Sequence, residues 1–452
     1  MRIHYVGHAS ILIEAAGIRI LTDPWLTPEL DRFWEHYPAF DPADAPRDID
    51  LVLLSHHHYD HFHLPSLDQL NRRAIVLFPA TAGMRTTTSP GGGAFAVPWL
   101  LRRLGFTRTK SLQPFESVDL GNLAITCFPS DVNFPELTFL IDDGECAVVL
   151  AGDSQLHAAT TKWFESAQVQ PRLAIVPIHS TATDACFRNR DERDDIESKQ
   201  RLASDAFRDY LSLFSRSAII PGAFGWRIRK QPPPGEESCR WMNNRIFPLS
   251  VLDGIALAVD RGHEAHCWGP GDAIELNGSG KLEAQGPYWD RTDLHGDVVS
   301  EYALLPADVP LPKFDPLGFG PGLEPQERMR VIDFIETGLV SAVCNSPFYM
   351  QAVERELKTQ LRVDDDLCWL LDFAAVDQCV TRSDASRHDD FIWISGRMLN
   401  RLIDGDIVYG HTWGSWVGTS PVLDAAFSAP NHYMRYANRL LSSPHGVTRY
   451  GL

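Results

Sequence analysis

The sequence predicts an α/β protein in which β-sheets are covered by helices. Short apolar or alternating segments, which are typical of strands, recur through the first 275 residues. Segments with apolar residues at helical spacing lie between them. Alternating strands and helices favour sheets that carry helices on their faces. At 452 residues the chain is too long for one ordinary core, so two domains, or one domain with an appendage, are expected.

The first predicted elements are a hairpin and a strand–helix–strand unit. Residues 2–14, RIHYVGHASILIE, alternate as a strand does, and a turn at Ala16–Gly17 leads into 18–26, IRILTDPWL. After these come a short buried strand at 48–56, a helical segment at 63–73 and a strand at 74–80.

The next segments continue the pattern of strands, several of which end in a polar cluster. They are SVDLGNLAITCFPSD at 117–131, ELTFLIDDGECAVVLAGDS at 136–154 and RLAIVPIHS at 172–180. A helix is predicted over 196–216, followed by the strand SAIIPGAF at 217–224. The apolar residues of that helix recur at helical spacing: Ile196, Leu202, Ala206, Phe207, Tyr210, Leu211 and Phe214.

The amino-acid composition changes near 304–325, where proline and glycine dominate, as in a linker or a segment that wraps the surface. Beyond it, residues 327–343 and 388–406 have a helical pattern, and 367–376, LCWLLDFAAV, resembles a strand. The predicted division is a catalytic domain over 1–275, a linker or wrapping segment over 276–325, and a mainly helical C-terminal accessory region over 326–452.

Composition and charge narrow the class of protein. The formal net charge of -18 argues against nucleic acid or an anionic membrane as the main partner, because both repel an acidic surface. The eight cysteines form no CxxC pair, a pattern typical of reduced thiols in the cytoplasm. No apolar stretch approaches the roughly 20 residues that span a bilayer. A cytoplasmic protein with a small-molecule substrate is therefore expected.

A cluster of histidines follows the buried strand that ends near residue 54. In SHHHYDH, residues 55–61, His56 and His58 project to one side, because alternate residues leaving a strand point the same way. Asp60 and His61 then lie on the turn and can serve a second ion. Neutral imidazoles and carboxylates are ligands that zinc, iron or manganese accept. The segment predicts a site for two metal ions.

These residues resemble the HxHxDH signature of the metallo-β-lactamase superfamily, and the likeness extends through about the first 275 residues. The resemblance implies an αββα sandwich. GHAS at 7–10 and TDPW at 22–25 are similar to the N-terminal hairpin of the branch that includes N-acyl-phosphatidylethanolamine phospholipase D and the lactonase UlaG. AGDS at 151–154 resembles the strand end whose aspartate bridges two metals, which implies that Asp153 is the bridging ligand.

Two polar residues near this hairpin each have two open interpretations. Asp23 can accept the distal N–H of a ligand imidazole, or it can be a turn aspartate before Pro24. His8 can face the site or serve as a structural histidine with its hydrogen bonds satisfied.

The sequence departs from the pattern of hydrolytic superfamily members in two places. Those members carry a third histidine one strand before the bridging aspartate, but no histidine occurs here between His63 and His157. A second family histidine is absent from 219–226, and His179 can reach the second metal instead or be structural. Asp131 is included in the predicted ligand set, with Asn133 and Glu136 as alternatives.

Replacing an imidazole by oxygen ligands shifts the preference of the site towards iron or manganese. A centre with few histidines, many carboxylates and open positions suits O2 activation at Fe(II) as well as water activation. Two iron ions are therefore predicted as cofactors, with zinc or manganese as the alternative.

Several segments resemble the catalytic part of the CMP-N-acetylneuraminate hydroxylase family more closely. The segments are TDPWL at 22–26, SHHHYDHFHLPSL at 55–67, NFPELTFLI at 133–141, SAIIPGAFGW at 217–226 and GPGDAIEL at 269–276. That family is a non-haem iron monooxygenase whose electrons arrive through an N-terminal Rieske centre. The printed sequence has neither the Cys-x-His nor the Cys-x-x-His motif of Rieske ligation, so a separate electron donor, a reducing cosubstrate or the substrate itself is expected to supply electrons.

Two enzymatic functions and one non-enzymatic function follow. The favoured hypothesis is a dinuclear iron oxygenase of hydroxylase type that acts on a small polar molecule. The alternative is a zinc or manganese hydrolase of phosphodiester or lactone bonds, in which Asp60 or Asp153 orients a metal-activated water. The third is a scaffold that has lost efficient metal binding. The predicted metal ligands are His56, His58, Asp60, His61, Asp153, His179 and Asp131.

Overall fold

Four β-sheets and the helices around them make up the described part of the chain. The structure is a computed structural model. It describes residues 1–404 except for gaps at 31–33, 59, 81–96, 133–134, 168, 179–195, 229–248, 279–281, 290, 292–321, 345–348, 376–379 and 384–386, together with 416–418 and 423.

The strands are numbered in chain order. They are β1 (Arg2–Gly7), β2 (Ser10–Ala15), β3 (Ile18–Thr22), β4 (Glu29–Leu30), β5 (Trp34–His36), β6 (Leu51–Leu53), β7 (Ile75–Pro79), β8 (Thr109–Leu112), β9 (Ser117–Asp119), β10 (Ala124–Pro129), β11 (Leu137–Asp142), β12 (Ala147–Leu150), β13 (Leu173–Pro177), β14 (Ala218–Gly222), β15 (Trp226–Ile228), β16 (Ala273–Leu276), β17 (Leu282–Gln285), β18 (Lys358–Val363), β19 (Leu367–Asp372), β20 (Val380–Arg382), β21 (Asp390–Ile394) and β22 (Trp416–Gly418).

None of the described helices is long and apolar enough to cross a bilayer. They are α1 (Leu64–Leu67), α2 (Val97–Arg103), α3 (Ala158–Ala167), α4 (Ile196–Leu213), α5 (Val251–Asp260), α6 (Pro325–Asp333), α7 (Leu339–Cys344), α8 (Tyr349–Glu354) and α9 (Gly396–Asp404), with a 3-10 turn at Pro42–Asp44 and a π-helical turn at Phe334–Gly338.

Two large sheets form the centre of the N-terminal part. The first has eight strands in the order β17-β16-β1-β2-β3-β6-β7-β8, and the second has six in the order β14-β13-β12-β11-β10-β9. The predicted hairpin is present between β2 and β3, which turn at Ala16 and Gly17, whose φ angles are 50° and 78°. Its first arm, expected as one strand over residues 2–14, is instead two paired strands, in which Arg2 lies opposite Glu14. Positive φ at both turn residues is what a tight hairpin turn requires.

Side chains alternate between the two faces of the first sheet. On β6, Leu51 and Leu53 belong to the core shared with the second sheet, whereas Val52 belongs to a separate core with α1 and α2. Helices α3, α4 and α5 contact the second sheet, and the buried Phe164 and Phe207 pack there. The layers are therefore helix, sheet, sheet, helix, and the predicted α/β sandwich is confirmed.

The C-terminal part contains its own five-stranded sheet, β20-β19-β18-β21-β22, beside helices α6 to α9. Residues 388–406 were expected to be helical, but Asp390–Ile394 is a strand that pairs in parallel with β18, and only Gly396–Asp404 is helical. The aromatic and β-branched run from Phe391 to Ile394 explains this, because such residues favour a strand. The region is mixed helix and sheet; the predicted domain boundaries stay a prediction.

Candidate metal centre

The site lies where several strands of the two large sheets end. His8 lies between β1 and β2, and Asp23 directly follows β3. The SHHHYDH segment follows β6, and Asp153 follows β12 in the other sheet. A hydrogen bond from the Leu137 backbone N–H to the Ser55 carbonyl, 2.9 Å long, joins the two sheets at this point. Residues that are far apart in sequence therefore meet at one edge of the sandwich.

Four side chains bring ligand atoms together at the centre of the site. One atom from each of His8, Asp60, His61 and Asp153 lies within 4.8 Å of all the others. Nε2 of His61 is 3.1 Å from Oδ2 of Asp153 and 3.6 Å from Oδ2 of Asp60. Nε2 of His8 lies 3.2 Å from Nε2 of His61 and 3.2 Å from Oδ2 of Asp60.

The protons on two of these imidazoles can be assigned from their partners. Nδ1 of His8 is 3.2 Å from the Phe224 carbonyl oxygen, which can only accept, so Nδ1 donates. Nδ1 of His61 donates to Oδ2 of Asp23 at 2.9 Å. In the neutral form, each Nε2 then carries a lone pair and faces the carboxylates. Lone pairs and negative oxygens this close repel one another unless a cation lies among them.

The Asp23 carboxylate is the acceptor that orients this part of the site. Its Oδ1 accepts from the Ser55 backbone N–H at 2.7 Å, and its Oδ2 accepts from the Ser55 hydroxyl at 2.6 Å as well as from His61. Of the two interpretations left open by the sequence, the geometry favours Asp23 as acceptor for a ligand imidazole.

A second group of possible ligands lies beside the first. Nε2 of His56 is 2.8 Å from Nδ1 of His58, and Nδ1 of His56 is 3.0 Å from the Ser55 hydroxyl oxygen. Burial first, and then the neighbouring imidazoles of His61 and His58, lower the pKa of His56 well below its ordinary value. His56 is therefore neutral, the form in which imidazole binds metals.

Glu136 lies against this second group. Its side chain is almost fully buried, and Oε1 is 3.2 Å from Nδ1 of His56. Within the described part of the chain, neither carboxylate oxygen accepts a hydrogen bond of normal geometry. Burial and the nearby Asp153 carboxylate raise the pKa of Glu136 to about 8. A buried carboxylate with unsatisfied oxygens fits a cation, since unpaired burial is otherwise costly.

The pKa shifts in the first group of side chains, which contains His8, Asp60, His61 and Asp153, also favour a bound cation. Burial lowers the pKa of His61, but the carboxylates of Asp153, Asp60 and Asp23 outweigh it and raise the pKa well above its ordinary value. For Asp60, burial raises the pKa, yet His61 and His8 bring it down to about 2. The carboxylates thus attract positive charge at this point, which a proton or a divalent cation can supply. The donor set suits a pair of divalent ions.

Several backbone positions around the site have positive φ, and three of them are His8 at 51°, Asp23 at 34° and Gly152 at 58°. Non-glycine residues seldom adopt this region, and they do so where the surrounding structure compensates for the strain. Each of the three positions places a side chain or a turn at the edge of the sheets where the possible ligands meet.

The predicted residues are distributed as follows. The structure brings Asp60, His61 and Asp153 together with His8, and it places His56 and His58 beside them. Asp131 is exposed, and its backbone N–H bonds to the Gln155 carbonyl at 3.0 Å. Asn133 and His179 lie outside the described residues.

The sequence left open whether His8 faces the site, and Asp131 was favoured over Glu136 as a predicted metal ligand. The useful signal for Glu136 was its position directly before the apolar strand LTFLI, because a carboxylate at a strand end near a metal motif can turn inward. For His8 the signal was Gly7, which allows the extra bend between β1 and β2.

Residues 2–183 match the Beta-lactamase superfamily domain. This part of the chain is therefore similar to that superfamily domain, which agrees with the resemblance of its motifs. The match ends before β14 and the C-terminal sheet.

Three relatives with a named activity are similar to parts of the chain. The first is 4-amino-L-phenylalanyl-(CmlP-peptidyl-carrier-protein) 3-hydroxylase of Streptomyces venezuelae, 31% identical over 37% of this chain and 31% of that protein. The second is cytidine monophosphate-N-acetylneuraminic acid hydroxylase of Danio rerio, 39% identical over 15% of this chain and 12% of that protein. The third is a metal-dependent hydrolase of Azorhizobium caulinodans, 27% identical over 39% of this chain and 73% of that protein. The chain thus matches about a third or less of either hydroxylase.

Proposed function

We propose that the protein is a dinuclear, metal-dependent oxygenase of hydroxylase type that acts on a small polar molecule. The observation that carries the proposal is the buried Glu136 carboxylate at His56, in the segment where hydrolytic superfamily members have a histidine. Oxygen ligands shift metal preference from zinc towards iron or manganese. Partial similarity to two hydroxylases supports the same class of reaction.

Two groups of side chains would hold the two metal ions. His56, His58 and Glu136 would form one group, and His8, Asp60 and His61 the other. Asp153 would serve both, and His179 remains a predicted ligand of the second. Iron ions bound there would supply the redox chemistry that a hydroxylation with O2 requires.

The residues of the chain orient the ligands and exclude water from one side. The side chains of His8, His56 and His61 have no exposed surface, whereas those of Asp60 and Asp153 are 12% and 20% exposed. Substrate would therefore approach from the side of these two carboxylates. Because the pKa of Asp60 is low, it stays ionised and can accept a hydrogen bond there. We propose a separate electron donor.

The test compares O2 use and metal preference in matched variants. Protein loaded with Fe(II) under nitrogen and given a chemical reductant should consume O2 faster than free Fe(II) does. Glu136→Asp keeps a carboxylate and should retain both iron and O2 use, whereas Glu136→His should shift binding towards zinc and lose O2 use. Wild-type protein that prefers zinc and consumes no O2 would overturn the proposal.

A zinc or manganese hydrolase is the second candidate. Metal ions held by His8, Asp60, His61 and Asp153 would lower the pKa of a bound water, which the carboxylates would orient, and a metal-dependent hydrolase is among the relatives. Turnover of a generic phosphodiester or lactone that chelator abolishes and zinc restores would favour this function. The Glu136 carboxylate counts against it.

A further inference from the structure

We infer that Tyr210, acting through Ser154 and Thr138, is a positioning residue for Asp153 and Glu136, the two carboxylates proposed as metal ligands. The inference rests on the proposed metal centre, but it holds equally for an oxygenase and for a hydrolase. It concerns three hydroxyl groups that do not themselves belong to the proposed ligand set.

The three hydroxyls form a continuous hydrogen-bonded chain in the core behind the centre. The oxygens of Thr138 and Ser154 are 2.7 Å apart, and the oxygens of Ser154 and Tyr210 are also 2.7 Å apart. The Tyr210 hydroxyl lies 3.0 Å from the backbone carbonyl oxygen of Ser154 as well. All three side chains are buried, so water does not compete for these bonds.

The direction of the chain follows from its last acceptor. The Ser154 carbonyl can only accept, so the Tyr210 hydroxyl donates to it. Each hydroxyl has a single proton, and the Ser154 hydroxyl must therefore donate to the Tyr210 oxygen. By the same reasoning Thr138 donates to Ser154. With its proton committed to Tyr210, the Ser154 hydroxyl is not a donor to the neighbouring Asp153 carboxylate.

Two members of this hydroxyl chain, Ser154 and Thr138, lie close in sequence to a proposed ligand. Ser154 directly follows Asp153 in the turn after β12, and its backbone N–H closes that turn on the Ala151 carbonyl at 3.1 Å. Thr138 is two positions after Glu136, at the start of β11. Tyr210 is close enough to Glu136 for the carboxylate charge to raise the pKa of the phenol, in addition to the larger effect of burial. The phenol thus stays protonated and keeps donating.

Helix α4 supplies the fixed end of this network. Phe207 and Leu211, on either side of Tyr210, are fully buried, and Tyr210 stacks on Phe214 with ring centroids 6.3 Å apart. The helix therefore holds the phenol at a set depth above the second sheet. Through the hydroxyl chain, that position sets where the turn with Asp153 and the strand after Glu136 lie relative to each other.

The experiment measures Zn²⁺ affinity by competition with a chromophoric chelator, together with the melting temperature of metal-free protein. Tyr210→Phe keeps the ring and removes the hydroxyl, and Thr138→Val removes a hydroxyl at constant shape. Both should weaken Zn²⁺ binding by roughly 10- to 100-fold, the range seen when groups behind metal ligands are lost. Thr138→Ser restores the hydroxyl and should bind Zn²⁺ within about threefold of wild type.

Ser217→Ala is the matched control, because it removes another buried hydroxyl bond, to the Pro171 carbonyl at 2.5 Å, away from the centre. It should lower the melting temperature as Tyr210→Phe does but leave Zn²⁺ affinity unchanged. Tyr210→Phe and Thr138→Val with wild-type affinity would overturn the positioning role alone. Wild-type protein that binds Zn²⁺ but fails the O2 test would overturn the oxygenase alone, and wild-type protein that binds no metal would overturn both.

Discussion

At the scale of single residues, the proposed metal site contains more hydrogen-bond acceptors than donors in a buried space. Nδ1 of His8 and Nδ1 of His61 use their protons on Phe224 and Asp23, so the Nε2 atoms and the carboxylates face each other. In metal-free protein, protons must reduce this repulsion: the neighbouring carboxylates outweigh burial and raise the pKa of His61, and burial together with the Asp153 carboxylate raises that of Glu136. Metal binding and pH are therefore coupled at this site.

The first prediction concerns the metal-free protein and Glu136→Gln. Glu136 has a pKa of about 8 in the folded chain against an ordinary 4.5. The folded state thus holds a proton that the unfolded chain has lost, and the stability that this proton contributes is complete below about pH 4.5 and disappears as pH rises to about 8. Glu136→Gln should remove this decline, which has a slope of at most about 1.4 kcal/mol per pH unit. Denaturant unfolding between pH 5 and 8 measures it.

The exposed Glu165→Gln, on α3, serves as the control and should follow the wild-type pH dependence. A Glu136→Gln protein whose free energy of unfolding declines with pH as steeply as that of wild type would show that this carboxyl is ionised in the metal-free fold.

Among the elements, strand ends and the turns after them do most to assemble the site. The turn after β12 carries Asp153, and it depends on Gly152, whose φ is 58°. A Cβ at Gly152 would lie 3.5 Å from the Ser55 side chain, an ordinary contact, so the main cost of a side chain there is backbone strain. That strain falls on the turn that aims Asp153 at His61.

The second prediction is that Gly152→Ala weakens metal binding more than it weakens the fold. Alanine in this left-handed conformation costs about 1–2 kcal/mol, which the turn can relieve by shifting. Gly144→Ala is the matched control, since Gly144 also has positive φ, at 82°, with open space around its Cα and no proposed ligand nearby. Both variants should lose similar stability by denaturant titration, but only Gly152→Ala should lose Zn²⁺ affinity. Equal metal affinity in the two variants would show that the turn does not aim Asp153.

At the scale of the whole molecule, sequence reasoning succeeded where the signal is local. SHHHYDH and AGDS each follow an apolar strand, and their order along the chain predicted the sandwich and the meeting of Asp60, His61 and Asp153. The helical spacing around Tyr210 predicted α4 but not the hydrogen bonds of its hydroxyl.

The remaining features depend on three-dimensional packing. Asp131 and Glu136 are five positions apart, and only the pairing of β10 with β11 and the bond from Leu137 to Ser55 decide that Glu136 turns inward. The sequence leaves His8 equally plausible as a residue facing the site and as a structural histidine, because the Phe224 carbonyl that accepts its Nδ1 proton lies more than 200 residues later. The strand at Asp390–Ile394 formed in place of a predicted helix because β18 and β22 lie beside it.

The most direct test of the central claim is the metal content of each chain, measured by elemental analysis of protein expressed with iron and purified without added metal. We predict two metal ions per wild-type chain and the loss of at least one in His58→Ala and in Asp153→Asn. His4→Ala, which removes a partly exposed histidine paired with Glu14, should keep both. A wild-type chain without bound metal, or Asp153→Asn protein that retains two ions, would contradict the account.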